Sequence, residues 1–268
     1  MEEKKTRVYL CENSLEGILS AVHEAYFSRY GHPFIQIQEK ENYNYNFFYD
    51  YIETDVDWNK AESVADSIIH KISMEAWNII KTAPMYERSG KAQDIYRFLN
   101  FGYQMGRSVL DYLQEDHVRR VIYDSRTVRR ETDRLMGFTR FQELKDGTLF
   151  GRIGPKHNQV PLLAVHFEDR LPEERWILYD ERRVIMAVHE KGKKAFLMKG
   201  QAVSDLSKVM LSREELQIES WWEGFFHAIG IKERTNKKLQ QQMMPKYYQR
   251  YMNFSSKMTD YEKEKIKI

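Results

Sequence analysis

The chain has 268 residues, 42% of them hydrophobic and 31% charged, which suffices for a sizeable core, and its net charge of +2 excludes nucleic-acid binding by bulk charge alone. One cysteine, Cys11, excludes an intramolecular disulfide and any zinc or iron–sulfur site built on several thiolates, as suits a reducing cytoplasm. The charged amino terminus and the lack of an apolar run long enough to span a bilayer predict a cytoplasmic protein that meets no membrane.

In chain order, Arg7–Glu12 reads as a strand. Asn13 is placed to cap a helix, with Glu16 in the reciprocal position, and Leu15, Ile18, Leu19, Val22 and Tyr26 give helical spacing to about Arg29. Gly31-His32-Pro33 ends it and Phe34–Ile37 is a second strand, so the chain opens as a β-α-β unit. Asn and Tyr alternate from Asn42 up to Phe47-Phe48-Tyr49. Such aromatics can stack bases, but a strand and turn packed on the domain is the favoured reading. Helices follow over Asp57–Lys71, Met74–Lys81 and, after a linker at Tyr86–Lys91, over Asp94–Leu113. Gly102 and Gly106 in the last of these mark close helix packing, because no strand precedes them and no Gly-Lys-Ser/Thr follows.

A helix from Asp116 to about Met136 comes next, ended by Gly137 as a left-handed cap. Val118, Val121, Ile122, Ser125, Val128, Thr132, Leu135 and Met136 fall on one face of it. Arg119, Arg126, Arg130 and Arg134 fall on the other, flanked by Arg120 and Arg129. Phe138–Leu144 and Thr148–Ile153 read as a hairpin turning at Asp146-Gly147, then Trp176–Tyr179, Val184–His189 and Lys193–Met198 as a three-strand meander. Ser212 with Glu215 opens a helix to about Ala228 that Gly230 closes, its Trp221-Trp222 and Phe225-Phe226 facing inward. A further helix runs from Arg234 to Met243, and Met244-Pro245 breaks to Lys246–Tyr251. The class is α+β: an N-terminal β-α-β unit, a helical middle, an antiparallel sheet in the second half and a helical C-terminus. The expected division is 1–115 and 116–268, with a single integrated domain as the alternative.

Three groups of residues carry chemistry. Guanidinium groups on successive turns of the Asp116 helix can follow a run of phosphates; the competing reading is a solvated face paired to Glu131, Asp124 or Asp133. His157, His166 and His189, with Asp180 as a carboxylate partner, are candidate acid–base groups, although none has metal-ligand spacing and a structural histidine is favoured for His166. Arg234, Asn236, Lys237, Lys238, Lys246 and Arg250 interleave with Tyr247, Tyr248 and Tyr251, a basic and aromatic track of the kind single-stranded nucleic acid needs. Nucleophile elbows, phosphate-binding Walker loops and dinucleotide fingerprints are absent, and no cofactor or metal is expected.

Several of these stretches together resemble one bacterial family. They are Tyr9-Leu10 to Tyr26, Arg129-Arg130-Glu131 through Gly137-Phe138-x-Arg140-Phe141, Pro155-x-His157, His166-Phe167-x-x-Arg170, Trp176-Ile177-x-x-Asp180-x-x-Arg183, and Arg234-x-Asn236 through Met244-Pro245-x-x-Tyr248. The family is that of the "probable DNA metabolism protein", built on a domain of unknown function. The resemblance implies a neighbouring radical S-adenosylmethionine protein as partner, relatives fused to a uracil-DNA glycosylase-like domain, and a role in DNA repair or modification with DNA as ligand. By position it nominates Glu131, Arg140, Pro155, His157, His166, Arg170, Asp180, Arg183, Arg234 and Asn236. The leading expectation is a DNA-binding accessory protein that contacts DNA through Arg119, Arg126, Arg130, Arg134, Arg140, Arg170, Arg183, Arg234, Asn236, Lys246 and Tyr248. The alternatives are an enzyme using His166, His157, Glu131 and Asp180, or a subunit that only binds the partner protein.

Overall fold

The computed structural model describes residues 4–43, 45–200, 211–229 and 236–252. The chain is α+β and divides into two compact units, Met1–Arg130 and Glu131–Ile268. The break falls inside the long arginine-bearing helix, whereas the sequence places its boundary just ahead of that helix.

In the first unit, β1 (Thr6–Cys11) lies between β2 (Ile35–Glu39) and β3 (Tyr49–Glu53), parallel to both. Val8, Tyr9, Leu10 and Cys11 are all buried, the continuous apolar run expected of a parallel strand covered on both faces. Helix α1 (Leu15–Phe27) connects β1 to β2 and completes the β-α-β opening. Its cap is Ser14, whose Oγ accepts from the Gly17 N–H at 3.0 Å, one residue beyond the expected Asn13. Helices α2 (Trp58–Lys71) and α3 (Met74–Ile80) follow, capped by Asp57 and Ser73. Helix α4 (Lys91–Met105) packs on β2. Gly102 there meets Ile72 so closely that a Cβ would lie 2.7 Å from its Cδ1, which is the close packing read from the sequence. Gly106 has another role: its φ of +59° ends α4, and Gly106–Asp111 continues as a 3-10 turn instead of the single helix expected to Leu113.

Helix α5 spans Asp116–Phe138. Gly137 lies within its last turn and is not the left-handed cap expected of it. The apolar face is buried as predicted from Val118 to Leu135, except that Met136 is exposed. The partners Val118, Val121 and Ile122 belong to the first core, and Leu135 to the second.

The second unit is built on a five-stranded sheet in the order β4 (Phe141–Glu143), β5 (Leu149–Ile153), β6 (Trp176–Asp180), β7 (Ile185–His189), β8 (Phe196–Lys199). The hairpin at Gly147 and the β6–β7–β8 meander are antiparallel, as expected. β5 and β6 run parallel, so the sheet is mixed. The reason is helix α6 (Val160–Arg170), which carries the chain back across the sheet between them. Its core is Ile153, Leu163, Phe167, Trp176, Leu178 and Tyr248. Helix α7 (Arg213–Ile229) starts at Ser212, whose Oγ accepts from the Glu215 N–H, while the Glu215 carboxylate takes the Glu143 N–H. Trp221, Trp222 and Phe225 are exposed, Trp221 at 65%, so the expected inward face is open among the described residues. Two short helices close the described chain, α8 (Lys237–Met243) and α9 (Lys246–Gln249). Gly230 and Arg234 lie outside the described residues.

Candidate functional site: a clamped loop and an open arginine face

The irregular segment Gly154–Gln159 lies between β5 and α6, and two buried carboxylates of the second unit hold it from opposite sides. Glu131, on α5, takes its N–H groups: Oε1 accepts from the Lys156 amide at 2.8 Å, and Oε2 from the His157 amide at 2.9 Å and from Gln159 Nε2 at 3.1 Å. Gln159, itself fully buried, accepts at Oε1 from the Thr132 hydroxyl at 2.7 Å. Asp180, at the end of β6, is fully buried and arranges the other side. Its Oδ1 accepts from the Arg182 and Arg183 amides, and its Oδ2 from Arg183 Nη1 at 3.0 Å. The guanidinium so fixed donates to the carbonyls of Pro155 at 3.1 Å and Lys156 at 2.6 Å. Burial pushes the Asp180 carboxyl up, against the opposing pull of Arg183 and the turn amides.

The C-terminal segment covers the same loop. The Tyr247 hydroxyl donates to the Gly154 carbonyl, and the Tyr251 ring lies where a Cβ on residue 154 would be. Arg250 pairs with Glu181 at 2.8 Å. Tyr248 is buried, its ring tilted on Phe138 at 5.3 Å, and the Arg134 guanidinium stands beside its hydroxyl. Tyr248 is therefore a core residue and offers no face for base stacking. Lys246 is exposed. Asn236 caps α8, its Oδ1 accepting from the Leu239 amide at 3.0 Å.

Glu131, Pro155, His157, Asp180 and Arg183 thus meet at one loop, with His157 nearly buried in it. Both oxygens of Glu131 and of Asp180 hold protein N–H groups, which makes these acids positioning residues for the loop. His166 is not part of the clamp: it is half-buried on α6, its ring edge-on to Phe167 at 5.0 Å. His189 stacks on Trp176 at 5.0 Å, and its Nδ1 faces the Glu174 carbonyl at 2.8 Å. Arg140 donates to the Gly137 and Thr139 carbonyls at the end of α5, and Arg170 is exposed in the last turn of α6. No group of histidines, cysteines and acids able to hold a metal ion occurs among the described residues.

The arginine face of α5 sorts by partner. Arg119 pairs with Asp116, and Arg120 lies 3.5 Å from Asp94. Arg126, Arg129 and Arg130 are exposed and form no ion pair among the described residues. Asp124, expected as a partner for this face, is instead buried and held by Arg88, whose Nη2 lies 2.6 Å from Asp124 and 2.8 Å from Asp94. Sequence reasoning passed over Arg88 because it sits in a stretch read as a linker. The available signal was a buried acid at position 124 that needs a cation.

No curated protein and no solved structure matches the chain. A family described as a domain of unknown function, DUF4130, matches residues 89–253, more than half the chain and every residue of the clamp. The chain belongs to that family.

Proposed function

We propose that this protein is a DNA-binding accessory factor in repair or modification that holds the phosphate backbone through the open arginines of α5. The observation that carries the reading is the exposure of Arg126, Arg129 and Arg130 with no ion pair among the described residues, while Arg88, Arg119 and Arg183 are held by acids. Guanidinium groups left free on one helix suit planar, bidentate phosphate contact, and each neutralised phosphate releases counterions. Lys156 and Arg182, exposed beside the clamped loop, add cationic groups within the second unit. The resemblance noted above supplies the partner, a radical S-adenosylmethionine protein that would carry the chemistry; Cys11, the chain's one cysteine, is buried.

The test is fluorescence anisotropy with single-stranded and duplex oligonucleotides across a salt series. Binding is expected to weaken steeply with salt, and Arg126→Ala with Arg130→Ala to flatten the log–log slope on duplex by about 1.8, at about 0.9 per phosphate. An unchanged slope in the double variant, or no binding at about 50 mM salt, refutes the assignment.

A further inference from the structure

A cavity of about 490 Å³ lies in the first unit, beyond the carboxyl ends of its parallel strands. Asn13 follows β1, Glu39 ends β2, Asn42 and Tyr43 come next, and Glu87 and Arg88 precede α4. Crevices beyond the carboxyl ends of strands in open parallel sheets are where ligands bind, and the volume lies in the small-molecule range.

The donors and acceptors around the cavity decide the ligand class. Its cation is engaged: Arg88 gives Nε and Nη2 to Asp124 and Asp94, and Nη1 to the Ser89 carbonyl. The first turn of α4 already holds an anion, because Glu39 accepts from the Gly90 and Ala92 amides at 3.1 and 3.0 Å. The acids Glu39, Glu87, Asp94 and Asp124 outnumber Arg88 and Lys91 here, and Lys91 donates to the Tyr86 carbonyl. A phosphate would therefore meet net negative charge and no free cation. Asn13 Oδ1, by contrast, is shielded from solvent and accepts no hydrogen bond among the described residues. A buried acceptor without a donor calls for a bound group. A carboxamide sets its acceptor beside its donor, which complements an exocyclic amino group next to a ring nitrogen. The partly exposed Tyr43 ring offers a stacking wall.

We propose that this cavity binds an uncharged planar heterocycle with an exocyclic amino group, an adenine or cytosine base or nucleoside without its phosphates. Asn13 Oδ1 accepts from the amino group, and Tyr43 covers the ring. The proposal uses none of the exposed arginines of α5 and stands apart from the DNA reading.

The test titrates the full chain with adenosine, adenosine monophosphate and N6,N6-dimethyladenosine by calorimetry. Adenosine is expected to bind, the monophosphate on the order of tenfold more weakly, and the dimethylated analogue, which has no amino N–H, to lose binding by a similar factor. Asn13→Ala and Tyr43→Ala are each expected to weaken adenosine on the order of tenfold. Neither is expected to lower the melting temperature of the free protein, because one removes an unpaired oxygen and the other a side chain at the surface. If Asn13→Ala fails to fold, Tyr43→Ala carries the test. Equal or tighter binding of the monophosphate, indifference to the two methyl groups, or no adenosine binding at its solubility limit overturns the proposal, the last leaving the cavity to water.

Discussion

Replacing Glu131 tests whether the loop at Gly154–Gln159 is held by acceptors on α5. The wild-type carboxylate serves the Lys156 amide, the His157 amide and Gln159 Nε2, at 2.8, 2.9 and 3.1 Å, in a site nearly closed to water. Glu131→Ala removes every one of these acceptors and leaves the donors facing an apolar gap. Hydrogen bonds to a charged group contribute about 1.5–3 kcal/mol each, but bonds that share one side chain do not add independently, so the expected loss is about 3–5 kcal/mol. Glu131→Gln keeps the shape. Its amide oxygen can stand where Oε2 stood and serve two donors, which turns the NH2 toward the Lys156 amide. The result is one lost bond and one donor–donor opposition, about 2 kcal/mol. The assays are denaturant unfolding, with Arg126→Ala as a surface control, and amide hydrogen exchange at residues 155–159. Exchange at Lys156 and His157 is expected to quicken in both variants, more in Glu131→Ala. The reasoning is refuted if Glu131→Ala stays within about 0.5 kcal/mol of wild type with those amides still protected, or if the two substitutions cost the same.

Other consequences follow from single groups. Burial pushes the Cys11 thiol up to about 12, so its thiolate fraction at pH 8 is on the order of 10⁻⁴; a disulfide reagent is expected to leave the native protein unmodified and to react fully in denaturant. Prompt native labelling would contradict that burial. Val184 sits at φ +55° in the turn between β6 and β7, a left-handed conformation that costs a β-branched residue about 1–3 kcal/mol. Val184→Gly is expected to raise the unfolding midpoint, since the relief outweighs the roughly 0.5–1 kcal/mol that glycine adds to the entropy of the unfolded chain; a lower midpoint would show the turn to be unstrained. The raised carboxyl of Asp180 gives stability that is complete below the unfolded value of 3.8 and is lost as pH rises through the higher folded value. Relative to Asp180→Asn, the wild type should therefore hold its largest advantage at the acid end of a pH series of unfolding midpoints. A constant difference across the series would remove Asp180 as the source.

How far the sequence discloses this structure depends on whether the information is periodic or spatial. The buried face of α5 from Val118 to Leu135 is readable because its positions repeat with the helical turn, and the arginines fall opposite by the same arithmetic. Helix α6 is not readable in that way. Val160-Pro161-Leu162-Leu163-Ala164-Val165 is apolar on all sides and matches a buried strand as well as a helix, so the crossover that makes β5 and β6 parallel is lost with it. The same periodic logic fails at Trp221, Trp222 and Phe225. Spacing shows that these residues share a face but not that anything covers it, and they are exposed.

The clamp is where spatial information matters most. Glu131, Pro155, His157, Asp180 and Arg183 can each be singled out in the sequence, but nothing in their spacing says that Glu131 takes amides and Arg183 takes carbonyls from one loop. One signal was nevertheless present. Asp124 and Glu131 interrupt the apolar side of α5 two helical turns apart, and an acid on a buried face requires its own donors. Asp124 obtains them from Arg88 in the first unit, and Glu131 from the Lys156 and His157 amides in the second. An acid engaged in this way is unavailable to the arginines along the outer side of the helix. The inward turn of the two acids is therefore what leaves Arg126, Arg129 and Arg130 without partners on the protein, and it ties the internal architecture of α5 to the surface that α5 offers to a polyanion.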